Sequence, residues 1–247
     1  MIVRTLLVAL VAGLIAGVFM TGLQQLRLVP LILEAETYEG ASGPHEDHAA
    51  VFQHPVEALA QYLLVTPAHA HSDNAEEEAG GTLFGLDRFS GTLLANLVAG
   101  AGFGLLMAGV SVVIGHPLTA ANGLIWGSLG WLAVHLLPSL GLPPELPGFP
   151  AADLTARQIW WIATVFISAV GLGMLALRRE SGLQVGGLLL IVLPHLWGAP
   201  QPSDIASPVP AVLGAEFAVA ALGTTLAFWL VLGLVSGWIN VRYGKAA

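Results

Sequence analysis

Eight histidines and sixteen carboxylates supply the metal-coordinating side chains of this chain, and they are unevenly placed. Five histidines, His45, His48, His54, His69 and His71, share one stretch with Glu46, Asp47, Asp73 and the run Glu76-Glu77-Glu78. His45-Glu46-Asp47-His48 holds two imidazoles three residues apart with two carboxylates between them, and His69-Ala70-His71 offers two more. Nitrogen and oxygen donors without thiolates suit divalent cobalt, nickel or zinc and disfavour copper(I). The carboxylates would also concentrate cations through their field. The spacing is not a defined metal signature, however, and a solvated acidic linker has the same composition.

A second set of polar residues lies at one end of several apolar runs: Gln24, Gln25, Glu34, Glu36, Asn96, His135, Glu145, Asp153, Arg157, Gln158, His195 and Glu216. Polar groups at such depth are costly in lipid and usually face a bundle interior or a wet cavity. Their similar depth would let them converge on one vestibule, with His135, His195, Glu216 and Glu145 as candidate metal ligands. Each also has a structural reading. Arg157 fits as a counter-charge to Asp153 or Glu216, and His135 as a satisfied interfacial histidine. His195 follows Pro194. That proline cannot donate a backbone hydrogen bond, and the carbonyl it frees can line a site, as in broken transporter helices. His116, beside Pro117, reads as a turn residue.

The elements that must position these groups are helices in lipid. Hydrophobic residues make up 55% of the 247 residues and charged residues 10%, against about 25% charged in a soluble domain. Apolar runs cover Leu6–Leu26, Leu93–Ile114, Ala121–Leu142, Ile159–Leu177, Leu183–Ala199 and Val212–Ile239. Each is near the roughly 20 residues needed to cross a bilayer, and helix satisfies the backbone internally. The sequence predicts an all-α polytopic membrane helix bundle of about six transmembrane helices. It reads as a single integral membrane domain, residues 1–247, with an acidic histidine-bearing outer loop at 27–90 between the first two helices. The first run lacks a small-residue cleavage site and reads as an uncleaved helix. Leu183–Ala199 is short and carries Pro194, so a re-entrant path is its alternative.

Charge orients the bundle. With six helices and both termini cytoplasmic, Arg4, Arg178, Arg179, Arg242 and Lys245 fall inside, and Arg27, Arg88 and Arg157 outside. Five against three favours this arrangement. Of the sixteen acids only Glu180 falls inside. Gly13/Gly17, Gly100/Gly104, Gly123/Gly127, Gly182/Gly186 and Gly233/Gly237 have the small-xxx-small spacing that lets helices approach closely. Trp160, Trp161 and Trp197 at the outer boundary, with Trp238 and Tyr243 at the inner one, match an aromatic belt.

Several classes drop out. The chain has no cysteine, which removes disulfides, thiolate metal sites and cysteine nucleophiles. There is no GxxxxGK[ST] phosphate loop and no GxSxG or HExxH phrase, so nothing marks an enzyme. No basic run offers a footprint for nucleic acid.

Four phrases carry a family resemblance: Gly22-Leu23-Gln24-Gln25 through Pro30-Leu31-Ile32-Leu33-Glu34-Ala35-Glu36; Leu142-Pro143-Pro144-Glu145-Leu146-Pro147-Gly148; Asp153-Leu154-Thr155-Ala156-Arg157-Gln158-Ile159-Trp160-Trp161; and Leu193-Pro194-His195-Leu196-Trp197-Gly198-Ala199-Pro200-Gln201-Pro202. With them the chain resembles the predicted cobalt transporter subunit family, CbtA, over most of its length except the stretch from Glu39 to Gly81. The resemblance implies cobalt uptake across a bacterial inner membrane, tied to cobalamin synthesis. It implies Co2+ as substrate, no permanently bound cofactor, and a small single-span companion subunit bearing histidine. Nickel or zinc remains the alternative cargo, and a non-transporting scaffold the alternative role. The family is described with about five spans, where the charge argument prefers six.

Overall fold

The computed structural model describes residues 2–40 and 86–244. His45, His48, His54, His69 and His71 therefore lie outside the described residues, with most of the 27–90 segment. Seven helices are described and no strand. They are α1 (Ile2–Arg27), α2 (Val29–Gly40), α3 (Arg88–Val113), α4 (residues 123–139), α5 (Leu154–Leu177), α6 (Ser181–Trp197) and α7 (Ala211–Gly244). All six expected apolar runs are helical. Four helices are long and apolar enough to cross a membrane, namely α1, α3, α5 and α7. α6 is 17 residues long and α4 is of similar length, so the length criterion leaves the expected count of six open.

The helix ends follow local chemistry. Asp87 caps α3 by accepting from the Ser90 N–H at 2.6 Å, and this bond holds the Asp87 carboxyl below its ordinary range. Asp153 caps α5 the same way, accepting from the Ala156 N–H at 2.8 Å. α2 continues from α1 across Leu28, where Pro30 interrupts the hydrogen-bond ladder. The turn after α3 is closed by Asn122, whose side chain accepts from the Thr119 N–H and donates to the Pro117 carbonyl. His116 sits in that turn, as its sequence context predicts, with Nδ1 3.0 Å from the Ile114 carbonyl oxygen.

Glycines decide which helices touch. A Cβ on Gly13 or Gly17 would collide with the α3 backbone at Gly100 and Asn96, and one on Gly123 or Gly127 with the α7 backbone at Gly233 and Trp229. In lipid, where burying apolar surface gains little, such backbone approach is a main source of helix association. Of the expected pairs, Gly182/Gly186 is the exception. Nothing approaches Gly182, and α5 and α6 meet instead at Gly171 and Gly187. Neighbours run in the order α3, α1, α7, α4, α5, α6. The main core lies where α1, α3, α4 and α7 converge: Ala12, Ala16, Met20, Met107, Ala133, Val134, Phe228, Trp229 and Leu232. A second cluster, Ala35, Leu146, Val209 and Leu213, packs α2 and the α4–α5 and α6–α7 connections onto the start of α7.

Candidate functional site

His135 is placed by a break in helix geometry. α4 begins as an α-helix over Gly123–Trp131, widens into a π turn over Leu132–Leu136, and ends at Leu137–Ser139. Pro138 explains the turn: it lacks an N–H, and its ring crowds the carbonyl four residues back, a clash that widening to an i−5 pattern relieves. The Leu137 N–H accordingly donates to the Leu132 carbonyl. Within the turn, the His135 ring faces α7. Its Nδ1 accepts the indole N–H of Trp229 at 3.1 Å. Phe103 of α3 completes the group, with its ring centroid 5.0 Å from Trp229 and 6.1 Å from His135. A neutral imidazole has one lone pair. Trp229 occupies it, so the ring proton belongs on Nε2, and metal ligation through Nδ1 would require Trp229 to withdraw.

His195 occupies the C-terminal end of α6, beside Pro194. Its ring meets Trp160 of α5 edge to face, with centroids 6.0 Å apart. Both His195 Nε2 and Trp160 Nε1 are buried without a hydrogen-bond partner among the described residues. Buried polar atoms without partners cost about 1–3 kcal/mol each, so an ordered water or a ligand atom is expected beside them. Trp160 is 9% exposed, and Gly141 packs directly on its ring. It is thus a core residue holding His195, and the belt reading fails for it. Trp197 and Trp238, at 87% and 57% exposed, keep that reading.

Glu145 lies on the connection between α4 and α5. Its Oε2 accepts from Arg157 Nη2 at 2.8 Å, and both side chains are about three-quarters buried. Burial raises the Glu145 carboxyl above its ordinary value, and the Arg157 charge offsets part of that rise. Arg157 is therefore a counter-charge to Glu145, while Asp153 serves as a helix cap. Glu36 pairs with Arg88 at 3.1 Å, tying α2 to the start of α3. Asn96 donates to Thr21 Oγ1 and Gln24 Oε1 at 3.0 and 2.6 Å, clasping α3 to α1. Glu216 stands apart from these, lining with Arg27 an open groove of about 730 Å³ between α1 and α7.

The four expected ligands of the bundle are therefore dispersed. His135 is bonded to Trp229, Glu145 to Arg157, His195 lies beside Trp160, and Glu216 faces the groove. No group of three or more His, Cys, Asp or Glu that could hold a metal ion occurs among the described residues. Trp229 and Trp160 are the residues that sequence reasoning missed. The available signal was a proline close to each histidine, Pro138 three residues after His135 and Pro194 just before His195.

No curated protein and no solved structure matches the chain. A family model does, over residues 2–240, and its description is a probable cobalt transporter subunit. Four long apolar helices, a glycine-packed bundle and a match along nearly the whole length agree, and the chain belongs to the CbtA family of probable cobalt transporter subunits.

Proposed function

We propose that this chain is the membrane-embedded component of a cobalt uptake system in a bacterial inner membrane, with both termini cytoplasmic. The observation that carries this reading is the family match over residues 2–240, on a chain with four long apolar helices. His45, His48, His54, His69 and His71, with the neighbouring carboxylates, gather hydrated metal on the outer side. Co2+ is the substrate and passes inward by way of the outer polar groups Glu145, His195, Glu216 and His135. The role is transport, not catalysis. A small single-span companion subunit bearing histidine shares the work.

The test is cobalt accumulation in cells with and without the chain under cobalt limitation. Uptake should fall when it is removed, and equal uptake would refute the proposal. Nickel and zinc are the competing cargoes, because ligand type alone does not separate them; competition in the same assay does.

A second reading rests on the pairing of polar groups within the bundle. Glu145, His135 and Asn96 each already have a protein partner, and no donor cluster forms among the described residues. This favours a scaffold that docks or assembles the components that do conduct the ion. Deleting residues 43–80 separates the two readings. Loss of uptake supports metal gathering; retained uptake with reduced recovery of partner subunits supports the scaffold.

A further inference from the structure

The groove between α1 and α7 combines two features with no role in the packing described so far. The first is a seam on α7. Val212, Glu216, Val219, Gly223 and Ala227 all line the groove, a spacing that keeps to one face of the helix for about four turns. Its apolar members are small or β-branched, a Cβ on Gly223 would meet nothing, and Val212 and Val219 are 70% and 73% exposed. The opposite face of α7 is already used, with Ala221, Phe228 and Leu232 buried against the rest of the bundle. The second feature is charge. Arg27, at the end of α1, and Glu216, near the start of α7, line the same groove with opposite signs, and neither forms an ion pair among the described residues.

We propose that this face is the contact between two copies of the chain, related by a two-fold axis along the membrane normal. Such an axis brings one patch against itself, so residue i meets j and j meets i. Arg27 of each copy then faces Glu216 of the other, and both charges at the membrane boundary are compensated. Along the same contact the valines of one α7 pack beside the small residues of the other, the kind of close approach that associates helices in lipid. A lipid acyl chain would fill the groove but leave both charges as they are. A helix from a different protein would have to bring both opposite charges itself; a second copy carries them already.

The chain contains no cysteine, so a single introduced thiol reports cleanly. Val219→Cys in the full-length chain, in native membranes at low expression, should form disulfide-linked dimers under mild oxidation. Phe166→Cys on α5, also exposed, should not. Arg27→Glu or Glu216→Arg alone should lower the Val219→Cys dimer yield roughly tenfold. The decisive arm co-expresses two differently tagged chains, one with Arg27→Glu and one with Glu216→Arg. Across a two-fold contact their charges complement one another, so the mixed dimer should recover while each variant's own dimer stays weak. An ion pair within one chain gives no such recovery, and that result overturns the proposal. Two further outcomes also overturn it. One is a Val219→Cys dimer yield no higher than that of Phe166→Cys. The other is a thiol at position 219 that is shielded from a membrane-permeant reagent without self-crosslinking, which marks a different helix in the groove.

Discussion

Replacing Trp229 with Phe tests whether the His135–Trp229 contact holds the bundle together or merely lies within it. The substitution keeps an aromatic ring against Phe103 and Phe228, whose centroids lie 5.0 and 6.0 Å away, and removes the indole N–H that His135 Nδ1 accepts at 3.1 Å. Two costs are expected. Truncating a ring that is 2% exposed leaves a small void, worth about 1–2 kcal/mol by analogy with other large-to-small core changes. Losing the hydrogen bond costs about 0.6 kcal/mol on average in a membrane bundle, and up to about 1.7. Only the second depends on His135. A double-mutant cycle with His135→Leu isolates it. The assay is reversible unfolding in mixed detergent micelles, followed by far-ultraviolet circular dichroism because the substitution alters tryptophan fluorescence. We expect a coupling energy between about 0.6 and 1.7 kcal/mol. Coupling below about 0.3 kcal/mol, the usual limit of additivity, would mean that the two residues contribute independently. The placement of the ring proton on Nε2 would then lose its basis.

Gly127→Val forces a branched side chain into the α7 backbone at Trp229; we expect about 1–3 kcal/mol of destabilisation in the same unfolding assay, while Gly102→Val, where a Cβ meets nothing, should be near neutral. Because the Glu145 carboxyl is raised in the fold, the folded chain takes up that proton more readily than the unfolded chain. Ionised Glu145 therefore costs stability above its folded pKa, and the cost fades as pH falls through that value. Wild type should accordingly gain stability relative to Glu145→Gln on acidification from neutral pH. The opposite sign would show that Arg157 outweighs burial. His195→Ala removes a ring whose Nε2 has no described partner; cobalt accumulation should fall while the melting temperature drops by no more than a few degrees, and unchanged accumulation would take His195 off the metal's route.

The helices were legible because apolar length is a one-dimensional property. The run Leu6–Leu26 lies within the helix Ile2–Arg27, and Leu93–Ile114 matches Arg88–Val113, with the caps Asp87 and Asp153 setting two of the starts. α2 was harder to read. It is 12 residues long, rich in glutamate, and stable through packing on Leu146, Val209 and Leu213, far away in sequence. Gly171 and Gly187 were missed for a related reason, since small-xxx-small spacing is a pattern within one helix and this contact pairs single glycines on two. The residue types of the candidate site were visible, but their partners were not. His135 and Trp229 are 94 positions apart, and no local period connects them. Arg157 had Asp153 as a near neighbour in sequence, yet the chain folds Glu145 onto it, because Asp153 is committed to the first turn of α5.

The π turn in α4 makes the helix sensitive to counting. It accommodates one residue more than α-helical winding would over the same span. Deleting a single residue between Leu132 and Leu136 would let regular winding resume with the side chains beyond kept on their present faces, but inserting one would swing them all by about 100° around the axis. Gly141 would leave the Trp160 ring on which it now packs, and His195 would lose the firm wall behind its aromatic neighbour. A one-codon insertion in the fourth helix would therefore disturb a histidine on the sixth, with no ligand-type residue altered.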